Sequence, residues 1–120
     1  MAQIKIKRVY EDASDSDGYR ILVDRLWPRG MKKENLKYDE WAKDVTPSPG
    51  LRKWFHEDMQ QRWADFSAMY ITELEHSDSV KALLIRIEPF KIVTLLYASR
   101  ESVYNHARIL QNYLETHQKI

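Results

Sequence analysis

Cysteine is absent from this 120-residue sequence, and glycine and proline are scarce, at three and four residues. Without cysteine, the chain cannot form a disulfide scaffold, a thiolate nucleophile or a cysteine-ligated metal site. The scarcity of glycine and proline argues against disordered or low-complexity segments. No apolar run is long enough to span a membrane, and the first residues do not resemble a signal peptide, so we expect a cytoplasmic protein with no membrane partner.

A large excess of one charge is also missing, because 19 basic and 18 acidic residues give a net charge of +1. Charge alone therefore does not predict non-specific binding to nucleic acid. Hydrophobic residues make up 43% of the sequence, and a chain of this length buries enough surface to fold around one core. We predict a single α/β domain over residues 1–120.

Three apolar segments are typical of β-strands. Residues 4–10 begin with strict alternation, which would place Arg8 on the same face as Ile4 and Ile6. Residues 92–97 form an unbroken apolar run, which favours the centre of a sheet. Residues 19–26 fit either a strand or a helix, and the nearby glycine and proline favour the strand. The acidic segment 11–18 is predicted to be an exposed loop, too short for a parallel crossover between neighbouring strands.

The remaining segments predict helices and one weaker strand. Residues 31–36 fit a helical turn and residues 38–45 a strand. Ser48 precedes Pro49 and is placed to cap a helix that turns Leu51, Trp54 and Phe55 inward. Three further sets of apolar residues have the spacing of amphipathic helices. They are Trp63, Phe66, Tyr70 and Leu74, then Val80, Leu83, Leu84 and Ile87, then Val103, Ala107, Leu110 and Leu114. The last of these helices is predicted to have its N-cap near Ser99 or Ser102. Together these elements predict a mixed or mainly parallel sheet of about four strands flanked by helices.

The first cluster of chemically versatile residues follows the apolar run 21–23. Open α/β sheets bind ligands at the carboxyl ends of their strands. Arg25 and Arg29 could bind a phosphate or carboxylate there, beside Asp24 and with Trp27 as a stacking surface. The structural alternative is an ion pair between Asp24 and Arg25, a core position for Trp27 and a tight turn at residues 28–30.

The second cluster follows the apolar run 92–97, where Tyr97 leads to a predicted helix start. Unpaired backbone N–H groups at such a start attract anions. Asn105 and His106 lie nearby, and His106 could act as a general acid or base. An imidazole packed at the edge of the core explains His106 equally well.

Arg52 and His56 form a third, weaker candidate pair, because their i, i+4 spacing places them on one helix face. They could support the two clusters or simply lie on a solvated face. The four histidines do not have metal-binding spacing, and no nucleotide-binding or hydrolase motif is present, so no metal and no cofactor is predicted.

With these segments assembled, the chain resembles the bacterial YeaO-like family, part of domain of unknown function 488. The resemblance covers nearly the whole chain, and its most specific stretch is Asp24-Arg25-Leu26-Trp27-Pro28-Arg29-Gly30. It also runs through Lys7-Arg8-Val9-Tyr10, residues 17–23, 39–43, 46–48, 51–52, 55–56, 70, 73–74 and 94–98, and Asn105-His106-Ala107. The resemblance implies a small α/β protein without an established activity, and it favours the strand over residues 21–23. Many broader relatives carry cysteines near the last motif, so a thiol-dependent role would not transfer to this chain.

We derive two functional hypotheses. In the first, a small anionic ligand, phosphate-bearing or nucleotide-like, is bound by Arg8, Arg25 and Arg29, opposite Asn105 and His106 and under Trp27, either for binding alone or for catalysis. In the second, the arginine loop and Lys32-Lys33 form an exposed patch of a non-catalytic module that binds nucleic acid or protein. A third interpretation makes the arginines structural, through buried ion pairs with Asp24 and Asp39. The sequence does not indicate an oligomeric state.

Overall fold

The computed structural model describes residues 1–118, which form a four-stranded parallel sheet. Its strands are β1 Gln3–Arg8, β2 Tyr19–Leu22, β3 Glu40–Trp41 and β4 Ile92–Tyr97, in the spatial order β1-β4-β2-β3. The unbroken apolar run is therefore a central strand, as predicted. The strand predicted within residues 19–26 is also confirmed for its first half. The strands β1 and β2 are parallel but are separated by β4, because the segment that connects them is too short for a parallel crossover between neighbours.

Four helices in the described chain complete the α/β domain. They are α1 Pro49–His56, α2 Met59–Glu75, α3 Asp78–Ile87 and α4 His106–His117. Three begin at side-chain caps, because Asp58, Ser77 and Asn105 each accept a hydrogen bond from a backbone N–H of the first turn. Short 3-10 turns occupy Asp15–Asp17, Lys33–Asn35 and Lys43–Val45.

The two faces of the sheet are covered differently. Residues from all four helices pack in one core with alternate strand residues such as Ile21, Val93 and Leu95. The other face carries a smaller core around Leu22 and Leu96, to which the described helices contribute nothing. Loop residues cover this second face, and the two cores together fix the sheet between a helical layer and a loop layer.

The strands β1 and β2 end at Arg8 and Leu22, before the predicted residues 10 and 26, and two further element boundaries are wrong. The last helix starts at His106 and not near residue 100, because Asn105 caps it by accepting the backbone N–H of Arg108 at 3.2 Å. Val103 therefore lies outside the helix and is 45% exposed. The strand predicted over residues 38–45 is limited to Glu40 and Trp41, since a 3-10 turn follows at once.

The acidic loop 11–18 is also more ordered than its composition indicates. Asp17 is only 5% exposed and forms ion pairs with Lys7 and Arg20, whose guanidinium group is buried beside it. Gly18 follows with a φ of 63°, and a Cβ there would lie 2.2 Å from the carbonyl oxygen of Ile92. The entry into β2 thus requires glycine for both its backbone conformation and its close approach to β4.

Candidate functional site

A cleft of about 870 Å³ opens at the carboxyl ends of β1, β2 and β4. We call it the arginine cleft, because its walls include five arginines and two histidines: Arg8, Arg25, Arg29, Arg52, Arg100, His56 and His106. The two distant segments singled out in the sequence meet here, since the loops after β2 and β4 belong to adjacent parallel strands. This is the edge at which open α/β sheets hold their ligands.

The charge of the arginine cleft differs from that of the whole chain. Asp24 is the one carboxylate among its described lining residues, so the cationic groups greatly outnumber the anionic ones. The complete sequence has a net charge of only +1. Low-dielectric walls around charges of one sign concentrate ions of the opposite sign, and the cleft is therefore suited to an anion.

Asp24 and His106 form a pair in the middle of the cleft. The Asp24 Oδ1 atom lies 3.6 Å from His106 Nε2, while Oδ2 accepts the backbone N–H of Ala98 at 2.8 Å. His106 Nε2 also donates to the Val23 carbonyl oxygen at 2.6 Å. The pair thereby joins the ends of β2 and β4 to the start of α4.

The tautomer of neutral His106 follows from this geometry. A carbonyl oxygen can only accept, so Nε2 must carry the proton and Nδ1 holds a lone pair. Nδ1 makes no hydrogen bond within residues 1–118 and is not fully buried, and His106 itself lines the cleft. At this position it can accept a proton or a hydrogen bond, and it becomes a donor when the ring is charged.

Burial moves the two pKa values of the pair in opposite directions. Desolvation raises the pKa of Asp24, against the opposing effects of His106, the Ala98 N–H and Arg52. Desolvation also lowers the pKa of His106, and the nearby Arg52 charge adds to this effect while Asp24 and the Val23 carbonyl oppose it. Burial thus acts against the charged form of each group.

Arg8 and Arg25 line the cleft but are partly engaged by the backbone. Arg8 donates from Nε to the Ser99 carbonyl at 3.0 Å and from Nη2 to the Ala98 carbonyl at 3.2 Å. Arg25 donates from Nη2 to the Pro47 carbonyl at 3.3 Å, while its Nε is buried without a partner in the described chain. These bonds fix both side chains and use only part of the five N–H donors of each guanidinium.

Three other predicted ligand residues have mainly structural contacts. Trp27 lines the cleft, but its indole N–H donates to the Met31 carbonyl and its ring packs on Trp41. Asn105 also lines it, with its side chain occupied by the helix cap and by the Glu101 carbonyl. Tyr97 is missing from the described lining and is 5% exposed in the main core.

Arg52 and His56 lie on the wall that α1 contributes, so the structure brings this weaker candidate pair to the same cleft. Partial burial and the charges of Arg52 and His106 lower the pKa of His56.

Ser48 ends the loop before α1, but its hydroxyl group donates to Glu73 instead of capping the helix as predicted.

Sequence reasoning did not single out Tyr10, Arg100 and Tyr104, which also line the cleft. Tyr10 lies under the Arg8 guanidinium, 5.1 Å from it, and donates to the Arg29 carbonyl at 2.7 Å. Arg100 lies three residues after the end of β4 at Tyr97, and this position near a strand end was the one available signal. The ion pairs of the structural interpretation are not formed within residues 1–118, because Asp24 lies beside His106 and Asp39 accepts the backbone N–H of Arg20.

Comparison with known proteins identifies the family. A family model described as the inactive DUF488-N3 subclade matches residues 3–119. The chain belongs to this family. Among its relatives, the uncharacterized protein YeaO of Escherichia coli is 46% identical over 113 residues, covering 94% of this chain and 97% of YeaO.

Relatives of this DUF488 chain also occur in mycobacteria. The uncharacterized proteins Rv3073c of Mycobacterium tuberculosis and Mb3100c of Mycobacterium bovis are each 38% identical over 112 residues, covering 93% of this chain and 93% of each relative. No solved structure matches the chain. Among the described helices, none combines the length and the apolar character that a membrane crossing requires.

Proposed function

We propose that this protein binds a small phosphate-bearing ligand, of nucleotide or sugar-phosphate size, in the arginine cleft. The observation that carries the proposal is the cationic lining, in which five arginines meet a single described carboxylate. Guanidinium groups bind phosphate through paired N–H donors and remain charged at any physiological pH. We further propose that the protein binds this ligand in the cytoplasm.

Arg25 supports the proposal most directly. Its Nε is a buried donor without a partner in the described residues, and its one hydrogen bond, to Pro47, is long at 3.3 Å. A buried donor left unpaired costs about 1–3 kcal/mol. A ligand oxygen that rearranges this side chain would recover part of that cost, since guanidinium–phosphate bonds are among the strong hydrogen bonds of proteins.

The size and shape of the cleft support a small molecule. Its volume of about 870 Å³ lies within the range of roughly 300–1,000 Å³ typical of small-molecule sites. Its wall also includes the apolar rings of Phe55 and Phe66. A concave site of this kind holds a compact ligand better than it holds a nucleic-acid strand or a flat protein surface.

The family description favours binding over catalysis. The matching subclade is called inactive, and the proposal therefore assigns no reaction to the Asp24–His106 pair. In this proposal His106 contacts the ligand through Nδ1, where the sequence alone suggested a general acid or base.

Thermal denaturation and calorimetry test the proposal. We expect inorganic phosphate, nucleoside monophosphates and sugar monophosphates to raise the melting temperature, with about 2.7 kcal/mol of stabilisation at a hundredfold excess over Kd. Arg29→Ala should weaken binding at least tenfold. Lys33→Gln is the matched control, because Lys33 is exposed on the next turn of the same loop and does not line the cleft.

The same variants distinguish the small-ligand proposal from the alternative function, a module that binds nucleic acid. A module that binds nucleic acid through Lys32, Lys33 and Arg29 would lose salt-dependent oligonucleotide binding in Lys33→Gln as well. No shift with any phosphate compound would contradict the small-ligand proposal, and oligonucleotide binding that depends on Lys33 would replace it with the module.

A further inference from the structure

Glu73 lies on α2 and does not line the arginine cleft, yet its carboxylate is bonded to a segment that does. We propose that Glu73 is a positioning residue of the cleft, which places Arg25 and the α1 wall through its two bonds to Ser48. The inference rests on the proposed function and adds to it a residue that sets the affinity for the anion without touching it.

The carboxylate of Glu73 bonds Ser48 twice. Its Oε1 atom accepts the backbone N–H of Ser48 at 2.9 Å, and its Oε2 atom accepts the Ser48 hydroxyl at 2.6 Å. Hydrogen bonds to an ionised group are shorter and stronger than those between neutral groups. Because both oxygens bond one residue, they fix its backbone and its side chain together, and Ser48 is held against α2.

A second residue of α2 holds the same segment. The buried hydroxyl of Tyr70 donates to the Val45 carbonyl oxygen at 2.6 Å, three residues before Ser48. Tyr70 and Glu73 are spaced i, i+3, so they lie on one face of the helix. Residues 45–48 are therefore bonded to α2 at both of their ends.

The middle of this segment forms part of the cleft. Thr46 and Pro47 line it, and the Pro47 carbonyl oxygen accepts the one hydrogen bond that the Arg25 side chain makes within the described chain, at 3.3 Å. Pro47 directly precedes Ser48 in the chain. A shift of Ser48 would therefore move the acceptor that orients the Arg25 guanidinium.

Ser48 also fixes the start of α1. Its carbonyl oxygen accepts the backbone N–H of Arg52 at 2.9 Å, and α1 carries Arg52 and His56 to the cleft. Further along α1, the ring of Phe55 stacks on Phe66 of α2, with 3.9 Å between the ring centroids. Loss of the Ser48 bonds would free the first turn of α1 while this aromatic contact remains.

The charge of Glu73 makes the positioning role separable from electrostatics. A carboxylate repels a bound anion, so loss of its charge alone should strengthen phosphate binding. Glu73→Gln removes the charge and can keep both bonds, because the amide oxygen accepts the Ser48 N–H and the amide nitrogen donates to the Ser48 hydroxyl oxygen. Glu73→Ala removes the charge and both bonds.

Calorimetric titration of the full chain with inorganic phosphate compares these variants. Glu73→Ala should bind phosphate about tenfold more weakly than Glu73→Gln, the loss expected when one hydrogen bond to a charged group is no longer formed. Glu75→Ala is the matched control, because Glu75 is an exposed acid at the end of the same helix, and it should not weaken binding.

A double variant tests the route through Arg25. In an Arg25→Ala background, Glu73→Ala should reduce phosphate affinity less than it does alone, since residues that act through one another are not additive. Ser48→Ala removes only the hydroxyl bond and should cause a smaller loss in the same direction. It replaces Glu73→Ala in these comparisons if circular dichroism shows that the latter does not fold.

A titration without ligand tests the effect on α1. Burial and the charge of Arg52 lower the pKa of His106, so displacement of α1 should raise that pKa. Loss of the Glu73 charge alone should lower it, because a carboxylate favours the protonated imidazole. NMR titration of His106 should therefore give a higher pKa in Glu73→Ala than in Glu73→Gln.

The outcomes separate this inference from the proposed function. Equal phosphate affinities in Glu73→Ala and Glu73→Gln would overturn the positioning role and leave the phosphate site in place. A His106 pKa that is the same in both variants would overturn the effect on α1. Absence of phosphate binding by the unmodified chain would contradict the proposed function, and the His106 titration would then decide by itself whether Glu73 places α1.

Discussion

A buried aspartate, Asp17, and a partly buried one, Asp24, have opposite environments in this molecule. Asp17, at the entry to β2, is surrounded by cations and bonds Lys7, Arg20 and the Ser14 backbone N–H. Burial alone would raise the pKa of Asp17, but these bonds together outweigh it and the pKa lies below its usual value. Asp24, at the exit from β2, has one backbone N–H and a histidine, and burial raises its pKa.

The arginines near the two aspartates differ in the same way. Arg20 is buried and its Nε donates to the Lys37 carbonyl at 2.6 Å, beside its ion pair with Asp17. Around Asp24, the arginines of the cleft form no ion pair among the described residues. The charges at the entry to β2 are therefore paired within the fold, whereas the charges at its exit are the ones that we propose bind a ligand.

The largest change in the free energy of unfolding is expected when the paired charges at the entry to β2 are lost. Asp17→Ala leaves Arg20 and Lys7 without a partner, and breaking a buried ion pair costs about 3 kcal/mol or more. In a chain of this size this corresponds to a fall in Tm of about 10 °C or more. Urea denaturation measures the loss, and Glu57→Ala, which removes the exposed pair with Arg62, should cost less than about 1 kcal/mol.

The Asp17 pairs also predict acid sensitivity, because their contribution is complete above the unfolded pKa near 3.8 and is lost as the pH falls through the lower folded value. If Asp17→Ala and Glu57→Ala had equal stabilities, the ion pairs at the entry to β2 would not stabilise the fold.

The pH dependence of stability near neutrality should come from the cleft. The folded pKa of His106 lies below the unfolded value of 6.5, so the unfolded chain takes up the proton first and stability falls as the pH drops below about 6.5. The slope is at most about 1.4 kcal/mol per pH unit for one group. His106→Gln should reduce this slope between pH 7.5 and pH 5.5, as measured by denaturation at each pH.

His76→Gln serves as the control for His106→Gln, because His76 is an exposed histidine at the end of α2. His56 adds a slope of the same sign through its own lowered pKa, so some dependence remains in the variant. An unchanged slope in His106→Gln would show that the environment of His106 does not disfavour its charged form.

Neutralising the cleft carboxylate should strengthen anion binding. Asp24→Asn keeps an oxygen that can accept the Ala98 N–H, and it removes a charge that repels phosphate. One unit charge at about 4 Å in a water-like medium is worth about 1 kcal/mol, or about a fivefold gain in monophosphate affinity. Stability at pH 7 should be maintained or increased, because the raised pKa of Asp24 means that its ionisation opposes folding.

Calorimetry with inorganic phosphate measures the affinity of Asp24→Asn, and denaturation measures its stability. Asp17→Asn is the informative comparison, since the same change at the entry to β2 should destabilise the fold. Weaker phosphate binding in Asp24→Asn would mean that the carboxylate acts as a ligand contact and does not repel the anion.

The smallest effect is expected for an unpaired arginine. Arg52→Gln removes a cation that makes no ion pair among the described residues, so the free energy of unfolding should change by less than about 0.5 kcal/mol. Lys53→Gln should behave alike in the absence of ligand, as measured by urea denaturation. A loss above about 1 kcal/mol in Arg52→Gln alone would indicate a structural role and weaken the contrast between the two regions.

Much of the fold could be predicted from the sequence because it depends on local apolar patterns. The unbroken run at Ile92–Tyr97 gave the central strand, and the length of the loop before β2 indicated that β1 and β2 are not neighbours. The start of α4 was misplaced, because several capping residues lie within a few positions and the choice of Asn105 depends on the Glu101 carbonyl that its side chain also bonds.

The meeting of the two site segments was predictable, since both follow strands of a mainly parallel sheet. The burial of Asp17 was not, because its partners Lys7 and Arg20 come from strands on either side of an acidic loop. The side-chain directions of Arg8 and Tyr97 were also beyond the sequence. Each ends a strand, yet Arg8 lines the cleft while Tyr97 is buried in the main core.

The unequal covering of the sheet has a consequence for redesign of this domain. The helical layer holds the main core, while the loop after β2 contributes Trp27 and Met31 to the smaller core, in which no described helix takes part. Substitutions and insertions are tolerated far better in such connections than in packed helices. Ligand preference could therefore diversify in this loop at little expense to folding, which makes the domain a suitable scaffold for grafting new recognition loops.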